Sequence, residues 1–338
     1  MKLRNGFLRY FPALVLFGIL LIIGCAFRDA GPVRLVSKAA PSPPRYGGIQ
    51  DTLRDVFMDM LYDEEEENEW KAMPDERNGQ LPEARWPLLD PSMPNVPLWP
   101  SDPACSMYNV SFALNITKTF LVSYPRSGNS WTRYLIEGAS GVATAAIYPK
   151  EKLYHFEMLS DLQQLRGKVI LTKTHLSGRR DVPDEVPAIL LLRNPAKSIV
   201  SFYNYMRAPR YARWRHNVSY QAYFNTGFAN FANHQLFKWT KLAKDRLSYS
   251  RRLLVVPYEE LREDPIAQVR RALAFLGIPA DEGRLACLQN HIQGPALGLQ
   301  RQVDPYSPEQ KVALAEAVAS ISELLRKRNF PPLPDYNE

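Results

Sequence analysis

The sequence predicts an α/β fold, a parallel sheet flanked by helices, preceded by a single transmembrane anchor and a proline-rich stem. Three observations carry this reading. From Thr119 onward, short apolar runs alternate with helical patterns. Strands buried on both faces of a parallel sheet need such near-continuous apolar runs. Residues Tyr10 to Phe27 carry no charge. Residues 31–105 hold 12 of the 28 prolines, a composition that suits an extended segment better than packed elements.

The apolar run spans 18 residues, near the lower limit for crossing a bilayer. Lys2, Arg4 and Arg9 precede it. A cleaved signal peptide is the competing reading, with Gly24 and Ala26 as small residues at a cleavage site. Signal h-regions are about 7–15 residues long, which favours the anchor. Arg28, Arg34, Lys38 and Arg45 follow the span, so charge orients it only weakly. Three N-x-Ser/Thr sequons, at Asn109, Asn115 and Asn217, lie beyond it. With a nine-residue N-terminal tail they favour a lumenal, glycosylated C-terminal body.

The expected organisation is a cytoplasmic tail over 1–9, a signal-anchor over 10–27, an extended stem over 28–118 and a folded body over 119–338. Within the stem, residues 51–62 suggest one short helix, and the acidic run 63–69 reads as a solvated face. Three cysteines exclude a disulfide-framework fold and a multi-cysteine zinc module. In an oxidising lumen Cys105 and Cys287 pair as one disulfide; two free thiols are the alternative.

Charge is unevenly divided. The whole chain is +7, but residues 1–118 hold 12 basic against 15 acidic side chains and residues 119–338 hold 30 against 20. A body at +10 points to an anionic ligand or partner. Nucleic acid would also explain that charge, but it conflicts with the anchor and the sequons.

Within the body, strands are expected at 119–123, 168–172, 188–192 and 253–256. Helices are expected at 130–138, 150–165, 195–207, 227–247, 264–276 and 307–328. Asp264-Pro265 supplies a cap followed by proline at the first helical position. Ser307-Pro308-Glu309-Gln310 is a capping box. Ligands of such sheets sit beyond the carboxyl ends of the strands, so those ends carry the functional expectations.

Three strand ends bear unusual chemistry. Tyr124-Pro125-Arg126-Ser127-Gly128-Asn129-Ser130-Trp131 follows a strand and opens a helix. Its backbone amides and the helix start form an anion cradle, Arg126 adds charge, and Trp131 offers a ring face for a purine. It is not the G-x-x-x-x-G-K-[ST] loop of nucleoside triphosphatases. Lys173-Thr174-His175 ends the second strand. Histidine near its ordinary pKa takes a proton from a hydroxyl, while lysine neutralises charge on a transferring group. Arg193-Asn194-Pro195 ends the third strand, and Ser201 follows two turns into the next helix. Two anion sites with a base between them fit one nucleotide with phosphate at both ends.

This combination resembles the sulfotransferase family, which uses 3′-phosphoadenosine-5′-phosphosulfate (PAPS). The family loop Y-P-K-S-G-T-x-W stands here as residues 124–131, its K-T-H segment as 173–175, and its Arg and Ser spaced by eight as Arg193 and Ser201. Tyr258-Glu259-Glu260, Asp264-Pro265 and Phe275-Leu276-Gly277 are also similar. The resemblance runs over about residues 119–290 and is strongest to the membrane-anchored branch containing WSC domains, although three cysteines are too few for that module. It implies a P-loop-NTPase-like sheet, PAPS as co-substrate, no metal, and residence in the Golgi membrane as a single-pass type II protein.

By the same resemblance, His175 deprotonates the acceptor hydroxyl and Lys173 stabilises charge on the sulfuryl oxygens. Arg126, Ser127, Gly128, Asn129 and Ser130 hold the 5′-phosphosulfate, Trp131 stacks on adenine, and Arg193 and Ser201 bind the 3′-phosphate. Arg126 replaces the family lysine. The C-terminal R-K-G-x-x-G loop is degenerate, leaving Gly294 and Arg301 as candidates for it. The alternatives are a nucleotide-dependent kinase or NTPase, and a lumenal glycan-binding relative with a decayed site. Residues 202–239 hold an aromatic and basic concentration that includes Phe202, Tyr203, Tyr205, Arg207, Arg210 and Trp214, a composition suited to a glycan or glycoprotein acceptor.

Overall fold

The computed structural model describes residues 83–148, 163–208, 218–294 and 303–336. The expected anchor, most of the stem, most of the helix at 150–165, Asn217 and Arg301 lie outside the described residues. Among the described residues, no helix is long and apolar enough to cross a membrane.

The body is a five-stranded, wholly parallel sheet. Its strands are β3 (Phe120–Ser123), β4 (Thr144–Ala146), β5 (Leu171–Thr174), β6 (Ala188–Leu192) and β7 (Leu253–Pro257). They lie in the order β4-β5-β3-β6-β7. Every residue of β3 and β6 is buried, as a central strand covered on both faces demands. Leu121, Ile189, Leu191 and Val256 share one core with helices α1 (Asn129–Ser140), α5 (Pro265–Leu276) and α6 (Glu282–Asn290). Helices α2 (Pro195–Arg207), α3 (Thr226–Tyr249) and α7 (Pro308–Lys327) pack together as a second group. A short helix α4 (Tyr258–Glu263) directly follows β7.

Caps end these helices where the residues allow. Asp264 accepts from Ala267 N–H with Pro265 at the first helical position. The capping box at Ser307 forms, with Gln310 reaching back. Gly277 terminates α5 at φ 72°, a left-handed conformation that costs other residues more. β5 begins and ends later than expected, so Lys173 lies inside the strand and only His175 stands beyond it. β4 escapes the sequence because two of its three residues are alanine; its hydrogen bonds to β5, rather than β propensity, make it a strand.

The described part of the expected stem, residues 83–118, departs from an extended segment. It forms a small antiparallel pair, β1 (Val96–Pro97) with β2 (Asn109–Val110). Leu98, Trp99, Val110, Phe112 and Ala113 belong to the body's core. Ser111 bridges to Val142 in parallel, and Ala113 N–H donates to the Lys168 carbonyl at 2.8 Å. Lys168 pairs with Asp90 at 2.8 Å, which with Ser92 holds that carboxyl down to about 2. The prolines punctuate this segment; its apolar residues between them are what bury it.

Cys105 and Cys287 form a disulfide across 182 residues, with Cα atoms 5.7 Å apart. It ties the segment before the sheet to α6. Of the sequons, Asn115 is exposed on a left-handed turn at φ 52°. Asn109 is half-buried in β2, and its sequon partner Ser111 donates its hydroxyl to Asn95 at 2.7 Å.

Candidate active site

The loop after β3 is shaped by two unusual backbone positions. Arg126 adopts φ 65° and Gly128 φ 94°. A Cβ on Gly128 would lie 2.4 Å from the Tyr258 ring, so only glycine lets α4 approach the loop so closely. α1 starts at Asn129 with no side-chain cap. The positive end of its dipole is therefore left for a ligand anion.

The polar groups of this loop are poised for such a ligand. Ser127 is fully buried, and its hydroxyl has no hydrogen-bond partner. Asn129 Nδ2 donates to Ser123 Oγ at 2.9 Å, while its Oδ1 is buried without a partner. An unsatisfied buried polar atom costs about 1–3 kcal/mol, so retention of the Ser127 hydroxyl, a donor, in this loop fits an anion that accepts from it; the Asn129 amide oxygen, an acceptor, does not serve an anion. Ser130 is half-buried in the first turn of α1.

The two arginines expected at opposite ends of a nucleotide meet across this loop. Arg193 donates to the Arg126 carbonyl at 2.6 Å. Arg126 Nε donates to Ser201 Oγ at 3.2 Å, and its guanidinium stands 5.3 Å from the Tyr205 ring centroid. Burial, then the neighbouring Arg193 charge, pushes the Arg126 pKa down; burial does the same to Arg193. A pair of partly desolvated guanidiniums is a place where a bound phosphate lowers the energy. Beside them lies a cavity of about 290 Å³ lined by Arg193, Lys197, Tyr258, Glu259, Arg262 and Glu263. The Arg193 guanidinium lies 4.5 Å from the Tyr258 ring centroid.

Helix α3 bonds both the loop after β3 and the end of β6. Gln235 accepts from the Tyr124 hydroxyl at 2.9 Å, and Trp239 donates its indole N–H to the Arg193 carbonyl at 3.1 Å. On α2, Asn194 caps the helix start by accepting from Lys197 N–H.

His175 stands next to this loop through one shared residue. Its Nδ1 lies 2.7 Å from the Ser123 carbonyl, and Ser123 Oγ is the group that holds Asn129. The carbonyl only accepts, so Nδ1 carries the proton and Nε2 is left as the basic nitrogen. Burial, then the Lys173 charge, holds the imidazole pKa down to about 3, against the opposing pull of the Ser123 carbonyl. The ring is neutral at pH 7. Lys173 is half-buried, with Nζ 5.6 Å from the Tyr148 ring centroid.

The sequence expects Trp131 to present a ring face; the structure buries it to 3% exposure. Its indole N–H donates to the Ile292 carbonyl at 2.8 Å, and it meets Tyr258 edge-on. Tyr134, one turn further on, donates to the His291 carbonyl at 2.7 Å. The helix of the anion loop thereby holds the segment leading to Gly294, where a Cβ would lie 2.6 Å from Tyr134. The same segment is fixed by the disulfide, by His291 stacked on Trp99 at 5.2 Å and by the His291–Asp102 contact at 2.8 Å. Asp102, Cys105 and His291 bring three metal-type donors together, but the Cys105 sulfur is committed to Cys287.

The structure thus gathers Arg126, Ser127, Gly128, Asn129, Ser130, Lys173, His175, Arg193 and Ser201 at one rim of the sheet. Sequence reading missed Tyr148, Gln235, Trp239 and Tyr258 as partners of the site. Tyr258 carried a signal, since it directly follows an apolar strand. Gln235 and Trp239 lie within a long helix whose pattern gives no hint of what its buried polar atoms reach.

A family model described as "Sulfotransferase domain" matches residues 116–297. A WSCD family member of Aedes aegypti is 28% identical over 204 residues, covering 59% of this chain and 63% of that protein. One from Drosophila melanogaster is 28% identical over 199 residues, 57% of this chain and 61% of that protein. The chain thus spans about three-fifths of the length of these relatives. Human sulfotransferase 4A1 is 25% identical over 198 residues, covering 54% and 66% of the two chains. Mouse sulfotransferase SULT7A1, solved with PAP, shares 19% identity at a TM-score of 0.39, covering 63% of this chain and 85% of that one.

Proposed function

Because the chain belongs to the sulfotransferase family, we propose that it transfers the sulfuryl group of PAPS to a hydroxyl, with His175 as general base. The observation that carries this reading is Ser123. Its carbonyl fixes the imidazole and its hydroxyl fixes Asn129, so base and anion loop are held by a single residue.

In the reaction, the acceptor oxygen bonds to sulfur as the bond from sulfur to the phosphate oxygen breaks. The acceptor proton passes to His175 Nε2, and 3′,5′-bisphosphoadenosine leaves. The negative charge of bound PAPS raises the imidazole pKa from its depressed value, bringing it into a useful range. Lys173 and Arg126 offset charge on the sulfuryl and phosphate oxygens. Arg126 does so as a fixed cation, because a guanidinium does not give up a proton at neutral pH. Arg193 and Ser201 would take the 3′-phosphate, with adenosine in the cavity beside Tyr258.

We propose further that the acceptor is a glycan and that the protein acts from the Golgi membrane with its body lumenal. The disulfide supports an oxidising compartment, and exposed Asn115 supports glycosylation there. The test is transfer of labelled sulfate from PAPS to a panel of sulfate-free glycans, tyrosine peptides and glycolipids. Transfer to a glycan is expected. Bisphosphoadenosine binding with no transfer to any acceptor would point to a decayed relative. Thermal stabilisation by Mg·ATP and none by bisphosphoadenosine would overturn the family chemistry for this site.

A further inference from the structure

Tyr148 lies two residues beyond β4, the edge strand hidden from the sequence. β4 runs parallel to β5 in a register that sets Ala146 opposite Lys173. Ile147 N–H continues the ladder, donating to the Lys173 carbonyl at 3.0 Å. That register carries Tyr148 to the level of His175. The His175 N–H donates to the Tyr148 hydroxyl oxygen at 3.0 Å. The two rings lie 5.9 Å apart at 31°, and Lys173 Nζ stands 5.6 Å from the tyrosine ring.

His175 is therefore held from both neighbouring strands. β3 fixes the imidazole through the Ser123 carbonyl, and β4 fixes the backbone through Tyr148. Just past a strand end, a backbone N–H has no ladder partner of its own, and a residue so placed is free to turn. The Tyr148 hydroxyl replaces that ladder bond, while its ring limits the space open to both Lys173 and the imidazole.

The placement also fits the direction of attack. Anion loop and Arg193 stand over β3 and β6, so the leaving nucleotide lies on that side of β5. In-line displacement brings the nucleophile from the opposite side, toward β4. The base must keep Nε2 turned that way.

We propose that Tyr148 is the positioning residue of the base: its hydroxyl fixes the His175 backbone so that the Nδ1-protonated imidazole presents Nε2 to the acceptor. This rests on the proposed sulfuryl transfer for its catalytic meaning and not for its geometry.

The test compares the full chain with Tyr148→Phe, which keeps the ring and removes the hydroxyl. Nitrogen NMR of histidine-labelled protein reads the tautomer directly, and His175→Gln assigns the signal among five histidines. In the unsubstituted chain, His175 should show a protonated Nδ1 and bare Nε2. In Tyr148→Phe the signal should move toward a tautomer mixture. PAPS hydrolysis without added acceptor should fall about tenfold, part of what a general base contributes. Affinity for 3′,5′-bisphosphoadenosine should stay within about twofold, since the anion loop is untouched. Tyr148→Phe in a His175→Gln background should cost nothing more, because the residue acts through the base.

Amide exchange at His175 in the unsubstituted chain needs no variant. It should be protected by about 100-fold or more, as expected for a bonded N–H outside the ladder. Fast exchange there, an unchanged tautomer in Tyr148→Phe, or equal losses of hydrolysis and nucleotide affinity would each overturn the assignment. Absence of any PAPS turnover in the unsubstituted chain would instead overturn the proposed function, leaving the imidazole measurements to decide the positioning role.

Discussion

The two halves of the sheet's carboxyl rim are built on different principles. Over β3 and β6, Ser127, Asn129 and Arg193 are buried, and each segment is tied down by main-chain or buried side-chain bonds. Over β5 and β4, Lys173, His175 and Tyr148 are all half-buried and meet one another through ring contacts and one backbone bond, with the Ser123 carbonyl as the link to the other half. A ligand with fixed phosphates rewards a rigid cradle whose desolvated charges are costly when empty. An acceptor that enters and leaves cannot be met by buried charge, because every cycle would pay for its exposure.

Damaging each half separately tests whether the two act independently. His175→Ala should lower sulfate transfer by about 10²–10⁴-fold, the span of general-base catalysis, with bisphosphoadenosine affinity within about twofold. Arg193→Ala should lower that affinity by about 100-fold, through the lost charge and the lost bond to the Arg126 carbonyl. Arg193→Lys should recover only part of it, since an ammonium cannot bond the carbonyl and a phosphate in the same fork geometry. Isothermal titration and initial rates separate the two effects. If either substitution lowered both quantities equally, the rim would be one unit rather than two.

The same division governs what could be read from residues alone. The cradle was legible because its chemistry is contiguous: eight residues from Tyr124 to Trp131 carry loop, charge and helix start together. Strands β3, β6 and β7 were legible because burial on both faces forces apolar runs. β4 was not, since two alanines and a threonine show no period. With β4 went Tyr148, whose meaning comes from a register and not from its neighbours in sequence. Proline density misled over 83–118, because an extended backbone can still bury Trp99, Phe112 and Val110 when a sheet edge and α1 receive them. The sequence supplied Trp131 as a ring in the right loop, but no local signal says that Ile292 would claim its indole N–H.

The disulfide acts on the cradle half from a distance. Cys105 and Cys287 sit behind the cradle half, at the base of the segment that Trp131 and Tyr134 hold. Replacing both with alanine should cost about 2–5 kcal/mol of stability, as for other native disulfides closing long loops. Under conditions where the variant stays folded, nucleotide affinity should fall several-fold while the His175 imidazole spectrum is unchanged. A shifted imidazole with intact affinity would reverse the assignment of the disulfide to one half.

The smallest effect expected is an acid dependence that belongs to the acceptor half alone. The His175 imidazole sits near a pKa of about 3 in the fold and at 6.5 when exposed. Between those values the unfolded chain binds more protons at this site than the folded one, so stability rises with pH across that window. Its contribution is complete above 6.5 and is lost as the pH falls toward 3. Asp90 acts lower, because its carboxyl moves from 3.8 to about 2, and its contribution disappears only as the pH falls through that range. Melting curves at steps from pH 7.5 to 4.5 should therefore show the unsubstituted chain losing more stability than His175→Gln, with the two converging at neutral pH. Saturating bisphosphoadenosine should shrink the difference, because a nearby anion favours the imidazolium. Parallel curves for the two chains would mean that solvent around the half-buried ring offsets its desolvation, and the acid dependence would then not come from this half.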